Sequence, residues 1–157
     1  MRIIAIDPGY ERVGIALLEQ ENKSKETLIH SECFKTDSKL PLPDRLHLIA
    51  KRVESLIKEF HPEVLAIESL FFKNNKTTGM GVSEARGAII TQATGHGIPV
   101  HEILPIHVKT ATTGYGKASK SDVHRMVSKL ILLPDKKMLD DEIDAIAIGL
   151  TYFAMRR

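Results

Sequence analysis

The run Ile3-Ile4-Ala5-Ile6 ends on Asp7-Pro8-Gly9, and Val13-Gly14-Ile15-Ala16-Leu17-Leu18 follows closely behind it. Four successive apolar residues, three of them β-branched, suit a strand covered on both faces. Pro8-Gly9 supplies a turn, so the two runs predict a hairpin with Asp7 at its mouth. A carboxylate at the end of a buried strand is costly unless a cation, a set of hydrogen bonds or a cleft receives it. The remaining chain must therefore pack around this hairpin and also provide something for Asp7 to meet.

The order of the other elements limits how that happens. A third strand is expected from about Glu26 to Phe34. Leu40-Pro41-Leu42-Pro43-Asp44 then breaks the chain and opens a helix whose Leu46, Ile49, Ala50, Val53, Leu56, Ile57 and Phe60 share one face. His61-Pro62 ends it. Val64-Leu65-Ala66-Ile67 reads as a further buried strand with Glu68 at its end. A loop follows from Phe71 to Thr78. A helix rich in small residues then runs from about Gly81 to Thr94, packing either on the sheet or on a second copy of itself. Pro99 to Ile103 is a fifth strand and Pro105 to Thr112 one or two helical turns. After the flexible loop Thr112 to Lys117, Ser119-Lys120-Ser121-Asp122 resembles a capping box that starts a helix through about Leu132. A last helix begins near Asp140 and reaches Phe153 or beyond. This pattern predicts one α/β domain over residues 1–157, with antiparallel opening strands and parallel crossovers after them.

Four acids stand where chemistry would want them. Asp7 and Glu68 each end a buried strand, and Asp141 and Asp144 lie three apart on one helix face. If the two strands are neighbours, the final helix can lay its pair across them. Spacing alone does not separate Asp141 from Asp140, which is also on the face of Asp144, and Asp140 is the better N-cap candidate. Clustered carboxylates repel unless a cation neutralises them. An all-oxygen donor set suits Mg²⁺, with Mn²⁺ as a substitute, rather than Zn²⁺. Two such ions about 4 Å apart activate a water and stabilise the leaving oxygen of a phosphodiester.

Charge is unevenly spread along a chain whose net charge is only +2. Residues 1–70 carry 10 basic and 12 acidic side chains, residues 71–137 carry 10 and 4, and residues 138–157 carry 2 and 4. A basic middle between acidic flanks suits an enzyme that holds a polyanion with lysines and a metal with carboxylates. No apolar run approaches the length of a bilayer span, no signal peptide is evident, and the single cysteine, Cys33, fits a reducing cytoplasm and a small core position. The histidines, His107 and His124 among them, read as surface residues. Gly114 to Ser121 superficially matches a phosphate-binding loop but lacks the glycine before Lys120.

Taken in order, several motifs carry a resemblance. They are Ile6-Asp7-Pro8-Gly9 with Gly14, Ile67-Glu68-Ser69-Leu70-Phe71, Ala85-Arg86-Gly87, Val108-Lys109, Lys120-Ser121-Asp122-Val123 and Asp141-Glu142-Ile143-Asp144-Ala145-Ile146-Ala147-Ile148. The chain resembles the RuvC family of Holliday-junction resolvases over nearly its whole length. The resemblance implies an RNase H-like fold, a five-stranded mixed sheet flanked by helices. It also implies a homodimer that makes paired symmetric nicks in four-way junction DNA in recombination and repair, working with a branch-migration motor. By position it makes Asp7, Glu68, Asp141 and Asp144 the catalytic, metal-binding acids, which selects Asp141 over Asp140. It places Lys109 and Lys120 near the scissile phosphate and Phe71 at the junction crossover, where an aromatic stacks on unpaired bases. Phe72 beside it leaves open which ring stacks. Lys73, Lys76 and Lys117 suit phosphate contacts. The chain has Gly14-Ile15-Ala16 where the family often has Gly-Tyr-Gly, so its second strand should pack differently. Competing readings are an RNA-processing nuclease of the same fold, a non-catalytic junction-binding module, and an ATP-binding fold. The last needs a second domain, for which 157 residues leave little room.

Overall fold

The computed structural model describes residues 1–22, 24–70 and 76–156, and the side chains of residues 76–78 are also outside the description. Five strands form one mixed sheet among these residues. They are β1 (Arg2–Asp7), β2 (Arg12–Glu19), β3 (Thr27–Lys35), β4 (Val64–Glu68) and β5 (Val100–Ile103). Their order across the sheet is β3-β2-β1-β4-β5. β1 pairs antiparallel with β2 and parallel with β4, and β4 pairs parallel with β5. The helices are α1 (Leu42–Phe60), α2 (Lys76–Gly95), α3 (Pro105–Thr113), α4 (Lys120–Leu130) and α5 (Asp140–Met155). This is the expected fold, with parallel crossovers following the opening hairpin. No helix among the described residues is long and apolar enough to cross a membrane.

The pleat decides what each face holds, because successive side chains point to opposite sides. Ile4, Ile6, Val13, Ile15, Leu17, Leu65 and Ile67 pack with α1 and α2. Ile3, Ala5, Ala16, Leu18, Val64 and Ala66 pack with α3, α4 and α5. The second face is lined by smaller residues, and α5 lies close against it. Every residue of α5 from Ala145 to Phe153 is buried, as expected of a helix that is apolar all round and enclosed on all sides. A Cβ on Gly149 would sit 2.5 Å from Leu18 Cδ1. A Cβ on Gly14 would fall inside the van der Waals envelope of the Asp141 carbonyl oxygen. Only glycine at these two points allows the helix and the sheet so close together.

Two sequence expectations change. The small-residue helix starts at Lys76 rather than Gly81, so Lys76 belongs to a first helical turn and not to a loop. Thr77, Thr78 and Gly79 are weak helix formers, yet Gly81 packs on the Tyr10 ring, and this tertiary contact outweighs local propensity. Ala85, Ile89 and Ala93 bury against the α1 side of the sheet, which answers one half of the packing question for this helix. Finally, Asp140 is not a cap: Leu139 occupies the N-cap and Asp140 is the first helical residue. By contrast, the Ser119 capping box forms as expected. Ser119 Oγ accepts from Asp122 N–H and the Asp122 side chain accepts from Ser119 N–H.

Candidate active site

Asp7 and Glu68 end adjacent parallel strands, one residue beyond the Ile6–Ile67 pair. Asp7 shares pleat parity with Ile3 and Ala5, and Glu68 with Val64 and Ala66, so both carboxylates point to the face covered by α5. There the first turns of α5 supply Asp141 and Asp144. Asp7, Glu68 and Asp144 line one cavity of about 190 Å³ together with Lys109 of α3 and Lys120 of α4. Val108, Val123 and Ile148 form its apolar wall. Asp141 lies on the other flank, close enough to act electrostatically on Asp7 but engaged elsewhere.

The electrostatics are those of partly buried carboxylates crowded together. Burial, then repulsion from Glu68, Asp144 and Asp141, pushes Asp7 up to about 8. Burial and Asp144 push Glu68 up to about 7. Lys120 Nζ stands 2.6 Å from Asp144 Oδ2. Burial opposes its charge, but the bond to Asp144 holds the ammonium above its ordinary value.

Several partners were not evident in the sequence. His124 was expected at the surface; instead its Nε2 lies 2.8 Å from Asp144 Oδ1, one turn along α4 from Lys120 and on the same face. Arg12, one residue into β2, places Nη2 2.6 Å from Asp141 Oδ2. Cys33 is half-buried rather than a core residue, and its Sγ is 3.7 Å from the same Asp141 oxygen. Burial and Asp141 raise its thiol above the ordinary value. Arg86 Nε donates to the Glu68 carbonyl at 3.2 Å, which fixes the end of β4. The neighbouring Glu142 is 4 % exposed. It accepts from Ser31 Oγ at 2.7 Å and from Lys136 Nζ at 2.5 Å, so the start of α5 is clamped to β3. Lys117 stands exposed on the turn between α3 and α4, outside the cavity. Phe71, Phe72 and Lys73 lie outside the described residues, as does the Lys76 side chain.

As the side chains stand, no three acidic, histidine or cysteine donors among the described residues close around a single point. The donor chemistry nevertheless fits a hard divalent cation. The cavity holds only carboxylate oxygens and lysine ammonium groups as polar side-chain partners, and oxygen donors of this kind are those a hard cation takes. A pH dependence follows. Both folded-state values lie above the unfolded ones, so the stability these two groups contribute is fully present below about pH 4 and is lost as pH rises through about 7 and 8. Metal-free protein is therefore expected to lose melting temperature between pH 5 and 8 through this pair. A divalent cation that binds here should raise the melting temperature more at pH 8 than at pH 6, because binding must displace fewer protons there. Thermal melts across this range, with and without the ion, check both parts.

A family model described as Crossover junction endodeoxyribonuclease RuvC matches residues 3–152 of the chain. A protein of that description from Desulfitobacterium hafniense is 37% identical over 152 residues, covering 97% of this chain and 92% of its own. Another from Alkaliphilus metalliredigens is 39% identical over the same shares. Among solved structures, Thermus thermophilus RuvC in complex with Holliday junction substrate superposes with a TM-score of 0.92 at 32% identity, over 100% of this chain and 95% of that one. The Thermus thermophilus RuvC structure gives 0.90 at 33% identity, over 100% and 96%.

Proposed function

The chain belongs to the RuvC family of crossover junction endodeoxyribonucleases, and we infer from that membership that it is a structure-selective endonuclease that resolves Holliday junctions in recombination and repair. The observation that carries the residue assignment is the convergence of Asp7, Glu68 and Asp144 with Lys109 and Lys120 in one cavity. Family membership implies a divalent metal, and Mg²⁺, with Mn²⁺ as its substitute, is the ion we propose. Asp7, Glu68, Asp141 and Asp144 would hold it. Bound there, the ion supplies Lewis-acid stabilisation of the charge that develops on the phosphate and the leaving oxygen.

The chain's own residues do the rest. Lys109 and Lys120 reach the same cavity from two helices, a position from which ammonium groups attract and orient a backbone phosphate. Lys120 also pairs with Asp144, so it links the phosphate position to a carboxylate. His124 holds the second oxygen of Asp144, which restricts its rotation. The apolar wall of Val108, Val123 and Ile148 limits water at the back of the cavity. Phe71 and Phe72 are proposed as the rings that stack at the crossover, with Lys73, Lys76 and Lys117 on outlying phosphates. A four-way junction offers two equivalent strands, which supports a homodimer making paired symmetric nicks. A branch-migration motor is the partner that would move the junction, and the cytoplasm is the compartment where the DNA substrate is found.

The test is a cleavage assay on a mobile four-way DNA junction, linear duplex and an RNA–DNA hybrid, each with Mg²⁺ and with EDTA. Paired symmetric nicks on the junction alone, lost with EDTA, are expected. Cutting of the hybrid would assign the chain to an RNA-processing branch of the fold, and binding without cutting would make it a junction-binding module. In the same assay Lys120→Ala should lower the cleavage rate while the melting temperature stays near that of the wild type. An unfolded variant would show that the lysine is structural.

A further inference from the structure

The turn between α3 and α4 holds a feature that the reaction as described leaves unused. Tyr115 is 60% exposed and Ile106 is 55% exposed, and Gly116, the residue after Tyr115, lies against the Ile106 side chain. Scattered exposed apolar residues are ordinary on a protein surface, but three observations set this pair apart. First, its backbone is fixed. Gly114 caps α3 in the left-handed conformation at φ 75°, and its N–H donates to the Thr110 carbonyl. Thr113 Oγ1 accepts from Tyr115 N–H at 3.1 Å, and the Tyr115 carbonyl accepts from Ala118 N–H at 3.0 Å. A loop expected to be flexible is instead a tied turn that presents the ring. Second, the ledge is framed by positive charge. Lys109 lies three residues from Ile106 on α3, Lys117 is exposed on the turn, and Lys120 opens α4. Third, the turn joins the two helices that reach the candidate active site, since Lys109 of α3 and Lys120 of α4 both line the carboxylate cavity.

We propose that Tyr115, exposed on this tied turn, is a stacking platform for an unpaired nucleobase of the strand being cut, next to the phosphate that Lys109 and Lys120 would engage. A ring with only two side-chain torsions on a fixed turn loses little freedom on binding. The flanking ammonium groups match a phosphate on either side of the stacked base. A protein partner with an apolar patch would meet three lysines around it, which favours nucleic acid as the occupant. The proposal rests on the junction-resolving reading and adds to it a base contact on the catalytic side of the molecule.

The experiment places 2-aminopurine, one position at a time, in each strand within three nucleotides of the exchange point of a four-way junction. Emission and binding are followed in EDTA. The wild type should change the emission at one or two positions on the cleaved strands. Tyr115→Phe should retain both that change and the affinity. Tyr115→Ala and Tyr115→Leu should lose the change and weaken junction binding about 5- to 100-fold, the range that base–aromatic stacking gives, with melting temperatures unchanged. Wild-type emission and affinity in Tyr115→Ala would overturn the proposal. So would equal losses in Tyr115→Phe, which would assign the contact to the hydroxyl. A wild type that neither binds nor cuts the junction would instead overturn the resolvase reading.

Discussion

Asp7→Asn is expected to reduce junction cutting by about 10³-fold or more while junction binding is retained. The neutral amide keeps the shape but removes the charge at the centre of the cluster, where Glu68, Asp144 and Asp141 all act on Asp7. Metal-derived charge stabilisation amounts to several kcal/mol, and each ~1.4 kcal/mol is a factor of ten in rate. Binding should persist because the lysines proposed to attract phosphates are untouched. The same substitution also removes a buried anion repelled by its neighbours, so metal-free Asp7→Asn should melt higher than the wild type at pH 8. Single-turnover cleavage, fluorescence anisotropy on the junction and a thermal melt read the three effects separately. Normal turnover would remove Asp7 from the metal site.

Gly14→Ala is the second large effect, and it acts without touching a reacting group. The added methyl would collide with the Asp141 carbonyl oxygen, and neither backbone can move freely. β2 is held between β1 and β3, and the start of α5 is clamped by Glu142 to Ser31 and Lys136. Overpacking of this kind costs about 1–3 kcal/mol, or a fall of roughly 5 °C in melting temperature for a chain of this size. Cleavage should fall further than stability explains, by about 10²-fold, because displacement of about 1 Å is enough to misalign reacting groups. Circular dichroism melts and cleavage rates on the same preparation separate the two effects. An active Gly14→Ala with unchanged melting would mean that α5 tolerates displacement.

Much of this was legible in the sequence, and the reasons are specific. The Ile3–Ile6 run ending on Asp7 and the Val64–Ile67 run ending on Glu68 each specify a buried strand with a carboxylate at one end. Once these strands are neighbours, the pleat fixes the direction of both acids. The capping box at Ser119 and the helix break at His61-Pro62 are local signals and formed where expected. Asp140 and Asp141 could not be separated by spacing because both share a helix face with Asp144. In the structure Asp141 is the one set against Gly14 and Cys33, whereas Asp140 is exposed. The contacts of Arg12, Cys33 and His124 with the acids escaped notice for a common reason. Each reaches its acid across 20 to 129 positions of sequence, and nothing periodic marks such a contact. A signal was nonetheless present: Ala5, Gly14, Ala16 and Ala66 share one pleat parity, and a line of small residues on one face marks where a helix comes close.

The carboxylates come from opposite ends of the chain's order of synthesis. Asp7 belongs to β1 and Asp144 to α5, with four strands and four helices between them. Residues emerge from the ribosome at about 5–20 per second, so roughly ten seconds separate the appearance of the first acid from that of the last. Until α5 arrives, the small-residue face of the sheet lacks the helix that lies close against it, and the Asp7 carboxylate has no Asp141 or Asp144 beside it. A nascent or truncated chain can contain the opening strands yet lack the two acids proposed as ligands on the last helix. On the proposed assignment of these acids, cutting activity is tied to completion of the fold, and a fragment that stops short of α5 is expected to leave DNA uncut.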